Sequence, residues 1–219
     1  MAGAKINKGK CLGQMEIMAE IKLAKKEERQ ADFSNQTLAD LSIVFDKIKF
    51  GLNLENAVIL GPVFFSEILS NGDFNLKNIQ INGSLYLARS EIKGNLILEN
   101  AKISGTVNLV GAKIDKSLLA RGMANTGFLS LAKTEIDGDV ILENVEIYSA
   151  NYSGLAIRGD LFLDSSSIKG TLNLSKISVD GILDLEGASI GKDLIISEAK
   201  IKKEKTDTTK AKIGGRKIS

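Results

Sequence analysis

The chain has 219 residues, 43% of them hydrophobic and 26% charged, with a net charge of +2, a balance that excludes wholesale disorder. It holds no His and no Trp, one cysteine (Cys11) and one proline, against 21 glycines. Ser-His-Asp and Cys-His catalysis, His-containing metal sites, Cys-rich zinc sites and an internal disulfide are thereby removed.

Residues 1–10 are polar and lysine-bearing, with no apolar stretch of the kind a secretory leader needs. A cytoplasmic location with Cys11 as a free thiol is the expectation. Over residues 15–29 the spacing predicts an amphipathic helix, with Ile17, Ile21 and Ala24 on one face and Met18 beside them. A helix of about fifteen residues is marginal alone, so this face should dock. A cap over the following structure is the first expectation, with a dimer helix or a partner-binding helix as alternatives. Residues 1–30 are accordingly an N-terminal arm and helix. Residues 31–49, through Leu41, Ile43 and Ile48, fit an opening half-coil and cap. The longest apolar run, residues 57–65, is interrupted by Gly61 and Pro62 and is too short to span a membrane.

From residue 50 a repeat takes over. Residues 94–104 and 105–115 align as G-x-L-x-L-x-x-A-x-I-x, and fourteen such units run from Phe50 to Lys202. Position 1 is Gly in ten of them, and position 10 is Ile in eleven. One residue is missing between Ile147 and Tyr148. Positions 3 and 5 alternate with period 2, as do 8 and 10, so each unit should hold two very short strands. A glycine every eleven residues excludes a helix. Gly at position 1 suggests a corner with positive φ.

Alternate units differ. At position 6 one set reads Glu55, Lys77, Glu99, Arg121, Glu143, Asp164, Glu186, and the other is small. At position 7 the first set is rich in Asn, which suits a left-handed corner. The coil is therefore twenty-two residues with four sides, and residues 50–202 form seven coils, a rod roughly 34 Å long at about 4.8 Å per coil. The fold class expected is all-β: a right-handed β-solenoid of about seven coils with an N-terminal helix. Residues 203–219 read as a disordered tail. Residues 202–219 carry +5 and residues 50–201 carry −5, so a basic tail follows an acidic rod and is available to acidic surfaces.

The short tandem repeat with inward Leu and small Ala, together with Ala31-Asp32-Phe33-Ser34 and Ala39-Asp40-Leu41-Ser42, resembles the pentapeptide-repeat proteins. That resemblance implies a right-handed quadrilateral β-helix. The chain departs from the family in having eleven residues per half-coil where the family has ten. Bactofilins, polymerising β-helical cytoskeletal proteins, are a looser match.

No catalytic residue, metal ligand or cofactor site is identified. The position-6 carboxylates read as a solvated ladder, with Lys77 and Arg121 interleaved for charge balance. The coil around Lys116, Ala120, Met123, Ala124, Asn125 and Thr126 is the most degenerate, through drift or through a local bulge or notch. Position 4 points outward, yet reads Ile97, Leu119, Ile141 and Phe162 in four successive coils, bounded by Asn75 and Asp184. Such a stripe suggests an interface. Lateral self-association is expected, with coverage by the N-terminal helix or an inert face as alternatives. The functional expectation is a non-catalytic structural or protein-interaction solenoid, a homo-oligomer or polymer laterally and end to end. The alternative is a pentapeptide-repeat-like DNA mimic that binds a topoisomerase or another DNA-binding protein.

Overall fold

The computed structural model describes residues 11–43, 47–48, 50–201, 206–207 and 211–219. Among them is one helix, α1 (Gln14–Lys26). The other regular elements are strands, nearly all two residues long, joined by tight turns and paired in parallel with the strand one coil away.

Each coil has four sides, followed here as faces 1 to 4 in chain order. In one coil they are Leu96–Ile97, Lys102–Ile103, Val107–Asn108 and Lys113–Ile114, after which Leu118–Leu119 returns to face 1. Face 1 is a nine-stranded sheet and face 4 an eight-stranded one. Faces 2 and 3 are joined into one seventeen-stranded sheet by two longer strands that run round their shared corner, Ala124–Ser130 and Glu146–Asn151. The protein is a parallel β-solenoid of about nine turns.

The repeat explains this geometry directly. Leu52, Phe74, Leu96, Leu118, Val140, Leu161 and Leu183 stack in one inward row, in strict register and fully buried. Each inward Leu removes its side chain from water, worth roughly 1.5–3 kcal/mol. Strand hydrogen bonds run between coils, as from the Leu76 N–H to the Ile97 carbonyl at 2.8 Å. At position 8 a polar residue needs its own acceptor. The buried Ser90, Thr134 and Ser166 hydroxyls donate to the carbonyls of Phe65, Leu109 and Leu142 at 2.6–2.8 Å.

The corners correct the expectation about glycine. Left-handed φ occurs at position 7, in both sets of units: Asn56, Glu67, Asn78, Arg89, Asn100, Gly111, Gly122 and Lys133 all lie between +52° and +68°. The position-1 glycines are absent from that group. They are small for another reason: coils stack tightly there. A Cβ on Gly94 would lie 2.5 Å from the Asp73 backbone nitrogen and 2.6 Å from the Gly72 carbonyl carbon.

Seven coils is corrected to about nine. Residues 31–48 are a full coil with a strand on every face: Ala31–Asp32, Thr37–Leu38, Leu41–Ser42 and Lys47–Ile48. At the other end the strands Thr206–Asp207, Lys212–Ile213 and Lys217–Ile218 extend the ladders through part of the stretch expected to be a disordered tail. One inserted residue hides that coil. Lys212 pairs with Ser189, twenty-three positions earlier, where Ser189 pairs with Ser167 at twenty-two. Thr206 and Asp207 also replace the Leu-x pair of face 1.

Candidate functional site

The outward row of face 1 is where the sequence stripe lies. The register pairs Asn75 with Ile97, Ile97 with Leu119, Leu119 with Ile141, Ile141 with Phe162 and Phe162 with Asp184. Successive rungs are about 4.8 Å apart. The four apolar side chains therefore form one unbroken stripe about 14 Å long, each partly exposed. At its ends sit polar groups. Asn75 Oδ1 accepts from the Lys77 N–H at 3.1 Å and Asp184 Oδ1 from the Glu186 N–H at 2.8 Å.

The position-6 row borders one side of the stripe. Lys77 Nζ pairs with Glu99 at 2.9 Å, and Arg121 pairs with Glu143 one coil on. These bonds hold the Lys77 and Arg121 cations above their usual pKa range. Further along, partial burial together with the Glu143 and Asp184 carboxylates pushes the Asp164 carboxyl above the usual carboxylate range.

The other side of the stripe is bordered by a ladder that sequence reasoning passed over. At position 2 the polar side chains from Asp73 to Asp160 each accept the main-chain N–H of the next coil. Asp73 Oδ1 takes the Asn95 N–H at 2.7 Å, Asn95 Oδ1 takes the Ser117 N–H at 3.1 Å, and Ser117 Oγ takes the Asp139 N–H at 3.1 Å. Asp139 and Asp160 continue the chain to Ile182. The signal was present as Asp, Asn or Ser directly after position 1. Its meaning needs the stacked coil, because the partner is twenty-one or twenty-two residues away. The result is a pinned platform carrying the stripe.

Helix α1 lies elsewhere. Ile17, Ile21 and Ala24 are buried in the same core as the coils, and Met18 packs against its edge. Arg29, just beyond the helix, bonds Glu20 at 2.6 Å, and Glu20 in turn accepts the Asp32 N–H of the first coil at 3.3 Å. The elements α1 packs on most closely are the first-coil strands Ala31–Asp32 and Leu41–Ser42 and the leading strand Cys11–Leu12, none of which holds a stripe residue.

The degenerate coil is the place where faces 2 and 3 fuse. The missing residue shifts the pairing register between Asn125 and Phe128. Asn125 occupies an inward Ile position, between Ile103 and Ile147, and its Nδ2 donates to the Gly105 and Phe128 carbonyls at 2.9 and 3.2 Å. A hollow of about 290 Å³ forms outside, where Ala124 is the small member of a row containing Lys102 and Glu146. Phe128 and Tyr148 stand half exposed beside it, ring centroids 6.5 Å apart. Among the described residues, Asn125 Oδ1 and the hydroxyl of the fully buried Tyr152 find no hydrogen-bond partner. Burial drives the Tyr152 phenol far above its usual pKa.

Among the described residues no group of carboxylates or thiols is arranged to hold a metal ion, and no helix is long and apolar enough to cross a membrane. The architecture defines a parallel β-solenoid with coils of about twenty-two residues. No protein-family model matches the chain, and no curated protein matches its sequence.

Proposed function

We propose that this protein is a non-catalytic interaction rod that associates side by side with a second copy through face 1. One observation carries the reading: Ile97, Leu119, Ile141 and Phe162 form a continuous, partly exposed apolar stripe on one sheet with polar residues at both ends. Isolated surface apolar side chains need no explanation, whereas a contiguous polar-rimmed patch marks an interface. Lateral contact is favoured over stacking at the N-terminal end, because α1 packs against the core there.

The resemblance to pentapeptide-repeat proteins brings a second reading, a DNA mimic. It asks for an uninterrupted negative face. The position-6 row is instead interrupted by Lys77 and Arg121, which are tied into ion pairs with Glu99 and Glu143, and this weighs against it. The test is mass by light scattering. The chain should run as a dimer, and Ile141→Asp, which places a charge at the stripe centre, should give a monomer with the same circular dichroism. A monomeric parent protein, together with inhibition of DNA supercoiling, would favour the mimic.

A further inference from the structure

We infer that the two rods of this dimer lie antiparallel, face to face, about a two-fold axis that passes between the Leu119 and Ile141 rungs, so that association closes at two copies. This rests on the self-association proposed above and adds its orientation. Two sheets packing face to face sit about 10 Å apart. A two-fold axis in the interface can run along the strands or along the rod, and the two choices confront different side chains.

With the axis along the strands, the rods are antiparallel and each position-6 residue meets the position-6 row of the partner in reversed order. The stripe becomes self-complementary: Leu119 meets Ile141, Ile97 meets Phe162, and the Asn75 amide meets the Asp184 carboxylate. Arg121 then faces Glu143 across the axis, so two cis ion pairs form an alternating square of charge. Lys77 faces Glu186. The one like-charge confrontation, Glu99 with Asp164, involves a Glu99 already neutralised by Lys77 at 2.9 Å. The position-2 rows meet as Ser117 with Asp139 and Asn95 with Asp160, with no like charges.

With the axis along the rod, coil meets coil and position 6 meets position 2 of the same coil. Glu143 then faces Asp139, Asp164 faces Asp160, and Asp184 faces its own copy. Like charges opposed at an interface disfavour a pairing and so specify against it. An isologous contact of the antiparallel kind uses the whole patch on both copies and cannot propagate.

Charge reversal separates the two arrangements. In the antiparallel dimer Glu143→Arg opposes Arg121 and weakens association by about tenfold or more. In the parallel one it relieves Glu143 against Asp139 and strengthens association. The double variant Arg121→Glu with Glu143→Arg should recover the antiparallel dimer. Short thiol cross-linking, in a Cys11→Ser background, supplies a second readout. Ile97→Cys mixed with Phe162→Cys should cross-link as a heterodimer. Each alone should not, since like positions are then three rungs, about 14 Å, out of line. Cross-linking of each single variant with itself overturns the orientation and leaves self-association standing. A dimer by light scattering with no cross-link in any mixture overturns face 1 as the contact. A monomeric parent overturns both readings.

Discussion

At the residue scale, two kinds of corner position carry the fold for different reasons. Position 7 needs left-handed backbone, which Asn and Gly adopt at low cost. Position 1 needs no unusual φ and has no space, because the coil beneath touches it. Substituting alanine should separate the two demands. Gly94→Ala puts a Cβ 2.6 Å from the Gly72 carbonyl carbon and should cost about 3 kcal/mol or more. Gly111→Ala, with φ of +67° and no atom nearer than 3.6 Å, should cost only about 1 kcal/mol. Urea unfolding at neutral pH measures both, and equal losses would refute the distinction. Tyr152 offers the opposite sign. Its buried hydroxyl has no partner among the described residues, a penalty of about 1–3 kcal/mol, so Tyr152→Phe should raise the unfolding midpoint. An unchanged or lowered midpoint would mean that the hydroxyl is satisfied in solution.

At the scale of elements, no strand of two residues is stable by itself, and each is held by its neighbours above and below. The end coils have a neighbour on one side only. Helix α1 supplies the missing contact at the first coil through Ile17, Ile21 and Ala24. Ile17→Ala should therefore remove about 2–5 kcal/mol locally. Its effect should appear first as faster amide exchange over residues 31–43, with the central coils protected. Uniform loss of protection along the rod would show a single cooperative unit instead. The same dependence on neighbours decides what the sequence could reveal. Wherever the spacing is a constant twenty-two, as from Leu52 to Val140, inward rows, outward stripe and corner residues could all be read from periodicity. A single inserted residue before Thr206 shifts phase, so Ala211-Lys212-Ile213 escaped notice although it repeats Ala199-Lys200-Ile201. The fused corner at Asn125 and Phe128 was visible only as degeneracy, since its shape depends on a register shift between two coils. The ladder of Asp73, Asn95 and Ser117 was hidden because its bonds join residues remote in sequence.

For the whole molecule, charge along one edge of face 1 links stability to pH. Asp164 is partly buried and lies near Glu143 and Asp184, so its folded-state pKa is raised. An acid whose folded pKa exceeds its unfolded value binds its proton more tightly in the folded state. The resulting stabilisation is present below the unfolded pKa and is lost as pH rises through the folded one. At neutral pH the ionised carboxylate is therefore a cost to the rod. Asp164→Asn removes that cost, and should raise the thermal midpoint at pH 7 while leaving it nearly unchanged at pH 3. Because much of the side chain reaches solvent, salt should shrink the gain. In the antiparallel dimer the same carboxylate faces Glu99, so Asp164→Asn should also tighten association at pH 7. Glu186→Gln, which removes the partner of Lys77 across the interface, should loosen it. Sedimentation of the two variants at low and high salt compares them directly. A tighter Asp164→Asn dimer beside a weaker Glu186→Gln dimer, with the difference fading as salt rises, is the outcome the charge pattern requires. The reverse order would place these carboxylates outside the contact.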